Sequence, residues 1–450
     1  MHETTADLLG RGRGLRAGTP RSVIGTGLDF DRDPVAILDA QNTARLTDLV
    51  PLRWTRMVVS PFTFYRGAAA VMAHDLAPTP VSGVRVQACG DAHLSNFGLY
   101  ASPERALVFD LNDFDETHRA PWEWDVERLA ASFAIASRQN GFGDAHAGDA
   151  AAMAARAYRE TMMAAADRSA RDLFHDMVTI ETLLARNDAT EAAAKVRKQR
   201  ARELERAATK ARQRTADQAF AKLAATGEGG ELRIVQQPPL MFRPDPLPSD
   251  LLEVPERYRA SALPDVESLM RRFHAVDLAV RVVGVGSVGT RCYILLCLDS
   301  TGSPLLLQAK EATTSVLEPW TSPSRYTHMG QRVVAGQRIM QAASDRFLGW
   351  TESEGRHYYV RQFRDMKGSF DVERMSPSLL VDYAIICGGV LARAHAQSCE
   401  PVVIAGYLGH GRAFDEAIGR FSLAYADQNE RDHAALRDAI ASGRLVASEG

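Results

Sequence analysis

The segment Gly284-Val285-Gly286-Ser287-Val288-Gly289 constrains this chain more than any other, because the residues directly after it decide the fold. A G-x-G-x-x-G pattern serves two kinds of phosphate-binding loop, one that opens a helix and one that joins two antiparallel strands. Here residues 290–298 read TRCYILLCL, β-branched, aromatic and aliphatic, and residues 299–303 (DSTGS) form a hairpin turn. A dinucleotide-binding unit needs a helix directly after the glycines, so that reading is disfavoured. The run VDLAVRVVGVGSVGTRCYILLCLDSTGSPLLLQAKEA instead predicts an antiparallel meander: strand, glycine-rich turn, strand, turn, and a third strand ending at Lys310. In such a hairpin the backbone amides around Gly284, Gly286, Ser287 and Gly289 cover phosphates, and Lys310 is placed to pair with the α and β phosphates of ATP. A glycine at a bulge plus a surface lysine is the plainer alternative.

The N-terminal half supplies an acidic counterpart. Residues 81–116 predict strand, polar loop, strand, tight turn, strand. The first loop is GDAHLSN, with Asp91 and Asn96 five residues apart, the spacing of a kinase catalytic loop whose Asp orients or deprotonates the attacking hydroxyl and whose Asn holds magnesium. Fourteen residues past Asn96 comes Asp110, then Asn112, Asp113, Asp115 and Glu116, hard oxygen donors suited to Mg²⁺. His93 is a candidate for positioning a phosphate or the loop itself. Asp125 is expected to anchor a helix start or brace the catalytic loop, His395 to be a satisfied core histidine, and Trp122 and Trp124 to be core aromatics.

The remaining text is mostly helical. Residues 122–139 carry Val126, Leu129, Phe133 and Ala136 at helical spacing and stop at Asn140-Gly141. Residues 186–226 hold eleven Lys or Arg against five Asp or Glu, the composition of a solvated helical hairpin. A strand over 357–363 and long helices over 378–396 and about 412–442 complete the chain. The expected units are an N-terminal arm and leading helix (1–50), a catalytic-loop and metal-binding part of a helical lobe (51–170), a basic helical insert (171–236), a glycine-rich β lobe (237–375) and C-terminal helices completing the helical lobe (376–450). The basic arm with Arg11, Arg13, Arg16 and Arg21 reads as a flexible tail.

Composition narrows the partners. With 46% apolar and 24% charged residues, net charge -3, and five cysteines in no C-x-x-C spacing, the chain is expected to be a cytoplasmic globular protein without a zinc site or disulfide framework. No leader is visible, apolar stretches such as residues 383–392 are shorter than a spanning helix needs, and nucleic acid is an unlikely partner. No G-x-S-x-G, H-E-x-x-H or P-loop G-K-[ST] is present.

The segments GDAHLSNFG, FDLNDFDE and WEWDVERLAASF, with VGVGSVGTRCYILL, LLLQAKEA, GQRVVAGQR, SDRFLGW and LARAHA later, resemble a bacterial family of unknown function over most of the chain. GDAHLSN and FDLND also resemble the G-D-x-H-x-x-N and following aspartate of aminoglycoside and choline phosphotransferases, members of the protein-kinase-like fold. That resemblance implies an α+β, two-lobed fold in which Asp91 is the catalytic base, Asn96 a magnesium ligand and Asp110 or Asp113 the second. The motif order is reversed, catalytic loop first and glycine-rich lobe second, which implies a circular permutation. Cys89 stands where the relatives commonly have histidine. Lys310 lacks an obvious carboxylate partner: Glu311 points to the other strand face, Glu318 is a candidate, and the helix over 331–343 has no Glu. The expected activity is ATP- and Mg²⁺-dependent phosphoryl transfer to an unknown small-molecule or protein acceptor; AMP transfer, a nucleotide-binding regulator without turnover, and a metal-dependent hydrolase built on Asp91, His93, Asp110 and Asp113 are the alternatives.

Overall fold

The computed structural model describes residues 3–188, 194–227, 229–245, 249–363 and 366–448. Strand β1 (Arg85–Ala88) runs into the GDAHLSN loop, and β2 (Phe97–Ala101) and β3 (Leu107–Leu111) form an antiparallel hairpin, Gly98 opposite Asp110. Strand β4 (His118–Pro121), which the sequence pattern does not announce, returns to pair antiparallel with β1. Two loops therefore emerge side by side, one after β1 and one after β3.

The helix Trp122–Gln139 begins and ends where its spacing predicts, with Gly141 at φ +78° just past the stop. Almost every side chain on it is buried, because the helices Gly143–Ala166, Pro377–Ala396 and Ala413–Ala441 surround it. Helix Pro377–Ala396 lies so close to Gly143–Ala166 that a Cβ on Gly388 would meet the Ala154 carbonyl oxygen at 2.2 Å; an alanine-rich neighbour and a glycine are what permit that approach. The same helix, twenty residues long with an 18-residue stretch of mean hydropathy 1.4, is longer than its ten-residue apolar run suggests. By length and composition it could cross a bilayer, yet 67% of that stretch is buried inside the protein, the setting of a core helix.

The N-terminal arm is not a loose tail. Thr5–Leu15 is helical, capped by Thr4, and packs on Pro401–Leu408. Gly12 lies against the Val403 carbonyl, and Arg16 donates to the carbonyls of Tyr407 and Gly406 while Arg21 donates to that of Leu408. The arginines thus satisfy carbonyls left open at a helix C-terminus, a role that net charge alone does not reveal.

In the basic segment, helices Ile180–Asp188, Ala194–Arg212 and Ala216–Leu223 are followed by a short hairpin of β5 (Ala224–Thr226) and β6 (Leu232–Ile234) that composition gave no hint of. Leu204, Ala207, Ala208 and Ala211 form its buried stripe. The proline-rich run over 237–248 contains β7 (Met241–Phe242); its residues 246–248 lie outside the described residues.

The meander takes the predicted form: β8 (His274–Arg281), the glycine-rich loop, β9 (Cys292–Leu298) and β10 (Pro304–Glu311). With β11 (Gly349–Ser353) and β12 (Arg356–Gln362) they make a six-stranded antiparallel sheet in the order β11-β12-β10-β9-β8-β7. One face packs Leu278, Leu295, Leu307 and Val360 against Tyr258 and Met270; the other packs Ile294, Leu296 and Leu306 against Leu223 and Phe363. Strand alternation puts Lys310 on this second face, level with Cys292 and Tyr359, and sends Glu311 to the first.

Candidate functional site

The GDAHLSN loop is fixed from beneath by helix Trp122–Gln139. The Asp125 carboxylate accepts the backbone N–H groups of Cys89 (2.6 Å) and Gly90 (2.9 Å), and also contacts His395 Nε2 at 3.0 Å, whose Nδ1 lies 2.9 Å from the Tyr158 hydroxyl. All these groups are buried. Asp125 therefore braces the loop, and His395 is a partnered core histidine. Gly90 adopts φ +80°, and a Cβ there would meet the Glu116 carbonyl oxygen at 2.4 Å, so glycine is what lets the two loops touch.

One turn beyond Asp125, Arg128 donates to Asp91 Oδ1 from Nε at 2.7 Å, with Nη2 2.6 Å from the same oxygen. Burial raises the Asp91 carboxyl and Arg128 opposes it; with Asp113 and Glu116 adding negative charge, the balance sits at about 7. The Asn96 side-chain amide donates to the carbonyls of Asp91 and Asp113, both at 3.0 Å, stapling the two loops together. Burial, with Arg66 and Arg128 nearby, holds the His93 imidazole well below its ordinary range and so neutral.

The acidic cluster divides sharply. Asp110 is 1% exposed; its oxygens take Arg393 Nη2 (2.8 Å), the Ala342 N–H (2.9 Å) and the Leu111 N–H (2.9 Å). It anchors two helices to β3 and stands apart from the cavity, so of the two metal-ligand candidates only Asp113 is placed to meet one. Asp113 keeps 44% of its side-chain surface and lines the cavity; burial and the neighbouring Asp115 charge raise its carboxyl.

The missing partner of Lys310 is Asp115. The ammonium donates to Asp115 Oδ2 and, at 3.0 Å, to Ser287 Oγ, and lies 3.9 Å from Asp113 Oδ2. Tyr359, level with Lys310 in the sheet, donates to the other Asp115 oxygen at 2.9 Å. Burial works against the ammonium, but Asp113 and Asp115 hold it charged. Glu311 pairs instead with Arg291 and Arg356, and Glu318 accepts the Ser324 N–H. Arg332, 2% exposed, ties the acidic loop down by donating to the carbonyls of Asp115, Thr117 and Thr313.

The glycine-rich loop closes the opposite wall. Its carbonyls are taken by the N-terminal segment: Arg45 donates to Val288, Arg56 to Gly284, and the Leu46 N–H to Gly289. Among the described residues nothing accepts from the amides of Val285, Gly286 or Ser287. Between the walls lies a cavity of about 670 Å³ lined by Asp91, His93, Asn96, Asp113, Asp115, Gly284, Gly286 and Ser287. Lys310 meets it through Ser287 and Asp115; Gly289 packs behind, against Arg45. Arg361 and Lys367 line it too, and burial beside Arg361 pushes Lys367 down to about 7.

Chemically the cavity offers one base-like carboxylate, one exposed carboxylate near the Asn96 amide, a buried ammonium, and unspent backbone amides. Among the described residues no three His, Cys, Asp or Glu side chains converge to cage a metal by themselves. Asp113 with Asn96 fits a hard cation that takes its remaining ligands from phosphate and water. Arg128, Asp115 and Arg332 lie within WEWDVERLAASF, FDLNDFDE and GQRVVAGQR, but no motif gave them a role; Tyr359, Arg361 and Lys367 are single residues outside those segments.

Residues 45–439 match the family described as an uncharacterized protein conserved in bacteria (DUF2252), and the chain belongs to that family. Comparisons with curated proteins and with solved structures find no match.

Proposed function

We propose that this member of the family is an ATP- and Mg²⁺-dependent phosphotransferase of the protein-kinase-like type, its motifs circularly permuted, acting on an unknown acceptor. The observation that carries the reading is the meeting, around one cavity, of Lys310 and Ser287 from the sheet with Asp113 and Asp115 from the helical half, 195 positions away for the Lys310–Asp115 pair, beside Asp91 and Asn96. The permuted order has its own support. Ser398, two residues past helix Pro377–Ala396, accepts the Gln87 N–H at 2.8 Å, and its carbonyl accepts from Arg119. The chain leaving that helix thus runs beside the strand that enters the GDAHLSN loop, where an unpermuted order would join them directly.

In this reading Asp113 and the Asn96 side-chain oxygen hold Mg²⁺, which neutralises charge on the transferred phosphoryl group. Lys310 exchanges part of its contact with Asp115 for the α and β phosphates, and the amides over Val285–Ser287 cover them. Asp91, aimed by Arg128 and poised near neutrality, orients the acceptor and takes its proton. Catalysis is then positioning and charge neutralisation. A hydrolase built on Asp91, His93, Asp110 and Asp113 loses one of its four groups to the Asp110–Arg393 pair.

The test is nucleotide turnover by the full chain. Wild type should consume ATP with Mg²⁺, and Asp91→Asn should lose that consumption while still binding ATP. Turnover at the wild-type rate in Asp91→Asn would remove the assigned role.

A further inference from the structure

Buried and half-buried arginines among the described residues find oxygen partners as a rule: Arg32 holds Asp75 and Asp432, Arg159 holds Asp415, and Arg53 meets three oxygens. Arg66, on the helix Pro61–Gly67, departs from the rule. Its guanidinium makes no hydrogen bond or ion pair with any described residue, its Nε is buried without a partner, and it lines the cavity. Asp91 does not discharge it, because the Asp91 carboxylate is already held by Arg128. Next to it His93, 7% exposed, keeps Nδ1 buried and unpartnered while Nε2 lies 3.8 Å from Asp91 Oδ2. A half-buried guanidinium that no protein group meets, its Nε buried, and an orphan ring nitrogen in one wall leave hydrogen-bonding capacity that an arriving acceptor would use.

We propose that this wall is an oxyanion subsite: the acceptor carries a phosphate or carboxylate that Arg66 and His93 hold while its reacting hydroxyl faces Asp91. The inference rests on the phosphotransferase reading, which it deepens by naming the acceptor class. Placement favours the acceptor over the nucleotide. The charges felt by Arg66 are those of Asp91 and Glu373, and His93 feels Arg66 and Arg128; Lys310 and Ser287 serve the opposite wall. The tip of the glycine-rich loop rests on the Arg66 backbone, a Cβ at Gly286 lying 3.1 Å from its carbonyl oxygen. The rim beyond is formed by His74 edge-on to Trp320, ring centroids 5.2 Å apart.

The experiment saturates the full chain with Mg²⁺ and a non-hydrolysable ATP analogue, so that the γ position is filled, and titrates inorganic phosphate or acetate calorimetrically. Wild type should bind one of them, the better probe separating phosphate from carboxylate acceptors. Arg66→Met should weaken that binding at least tenfold, Arg66→Lys less, and both should bind the ATP analogue within about twofold of wild type. Unchanged anion affinity in Arg66→Met would overturn the subsite, and loss of affinity for the ATP analogue but not for ADP would move Arg66 onto the transferred phosphoryl group. If the analogue fails to bind wild type while phosphate binding still depends on Arg66, the anion subsite stands and the phosphotransferase reading falls.

Discussion

The two loops that face each other across the cavity are held by opposite means. The GDAHLSN loop is fastened through its amides to a buried carboxylate, Asp125, which is itself backed by His395 and Tyr158. The glycine-rich loop is fastened through its carbonyls to Arg45, Arg56 and the Leu46 N–H, in a half-buried segment, and the amides of Val285, Gly286 and Ser287 stay unspent. One loop is rigid because undoing it would strand buried polar groups; the other buries Val285 and Val288 but leaves the amides at its tip open. A loop whose amides are spent suits proton handling, and one whose amides stay open suits phosphate binding.

The largest test of this contrast is at the root of the acidic loop. Arg393→Ala or Asp110→Ala should cost about 3 to 5 kcal/mol in urea unfolding, since either leaves a buried charge unpaired, whereas Asp113→Ala, three residues away, should cost under about 1 kcal/mol. Equal losses would erase the distinction between anchor and cavity residue. Next, the bracing helix carries two further buried carboxyls, Glu123 and Glu127. Glu123 accepts the Ser82 N–H with one oxygen only, and burial lifts it to about 7; Glu127 has no partner and burial raises it further. A folded pKa above the unfolded 4.5 stabilises below that value and is lost as pH rises through 7, on the order of 3 kcal/mol for Glu123. Unfolding free energy should therefore fall between pH 5 and 8, and Glu123→Gln should flatten the curve; an unaltered slope would contradict the buried-acid account.

Asp125→Ala should remove about 2 to 3 kcal/mol by stranding two amides and His395. Smallest, Arg45→Ala and Arg56→Ala should each cost under about 1 kcal/mol yet speed proteolytic nicking within residues 284–289. A loss comparable to that of Asp125→Ala would mean both loops hang on buried polar contacts.

The sequence made some of this legible and hid the rest for identifiable reasons. Glycine spacing followed by TRCYILLCL sufficed for the meander, and the positions of Asp91, Asn96 and Lys310 came with their motifs because each motif is contiguous. Asp110 and Asp113 look alike in text, and only the pairing of β3 with β2 and the arrival of Arg393 from a distant helix separate them. The Lys310 partner was sought near Lys310, at Glu311 and Glu318, but tertiary folding supplied Asp115 from the far half. Strand β4 reads HRAP, without alternation and ending in proline, so nothing local marks it. Arg16 and Arg21 of the N-terminal arm looked solvated because their acceptors are carbonyls at residues 406–408, invisible to charge counting.

The central claim is that the two halves form one nucleotide site, and thermal unfolding of the full chain with ATP and Mg²⁺ tests it most directly. Wild type should gain about 2.7 kcal/mol at a hundredfold excess over Kd, and Lys310→Ala in the sheet and Asp113→Ala in the helical half should each abolish the gain. No stabilisation of wild type, or a gain that survives both substitutions, would contradict it.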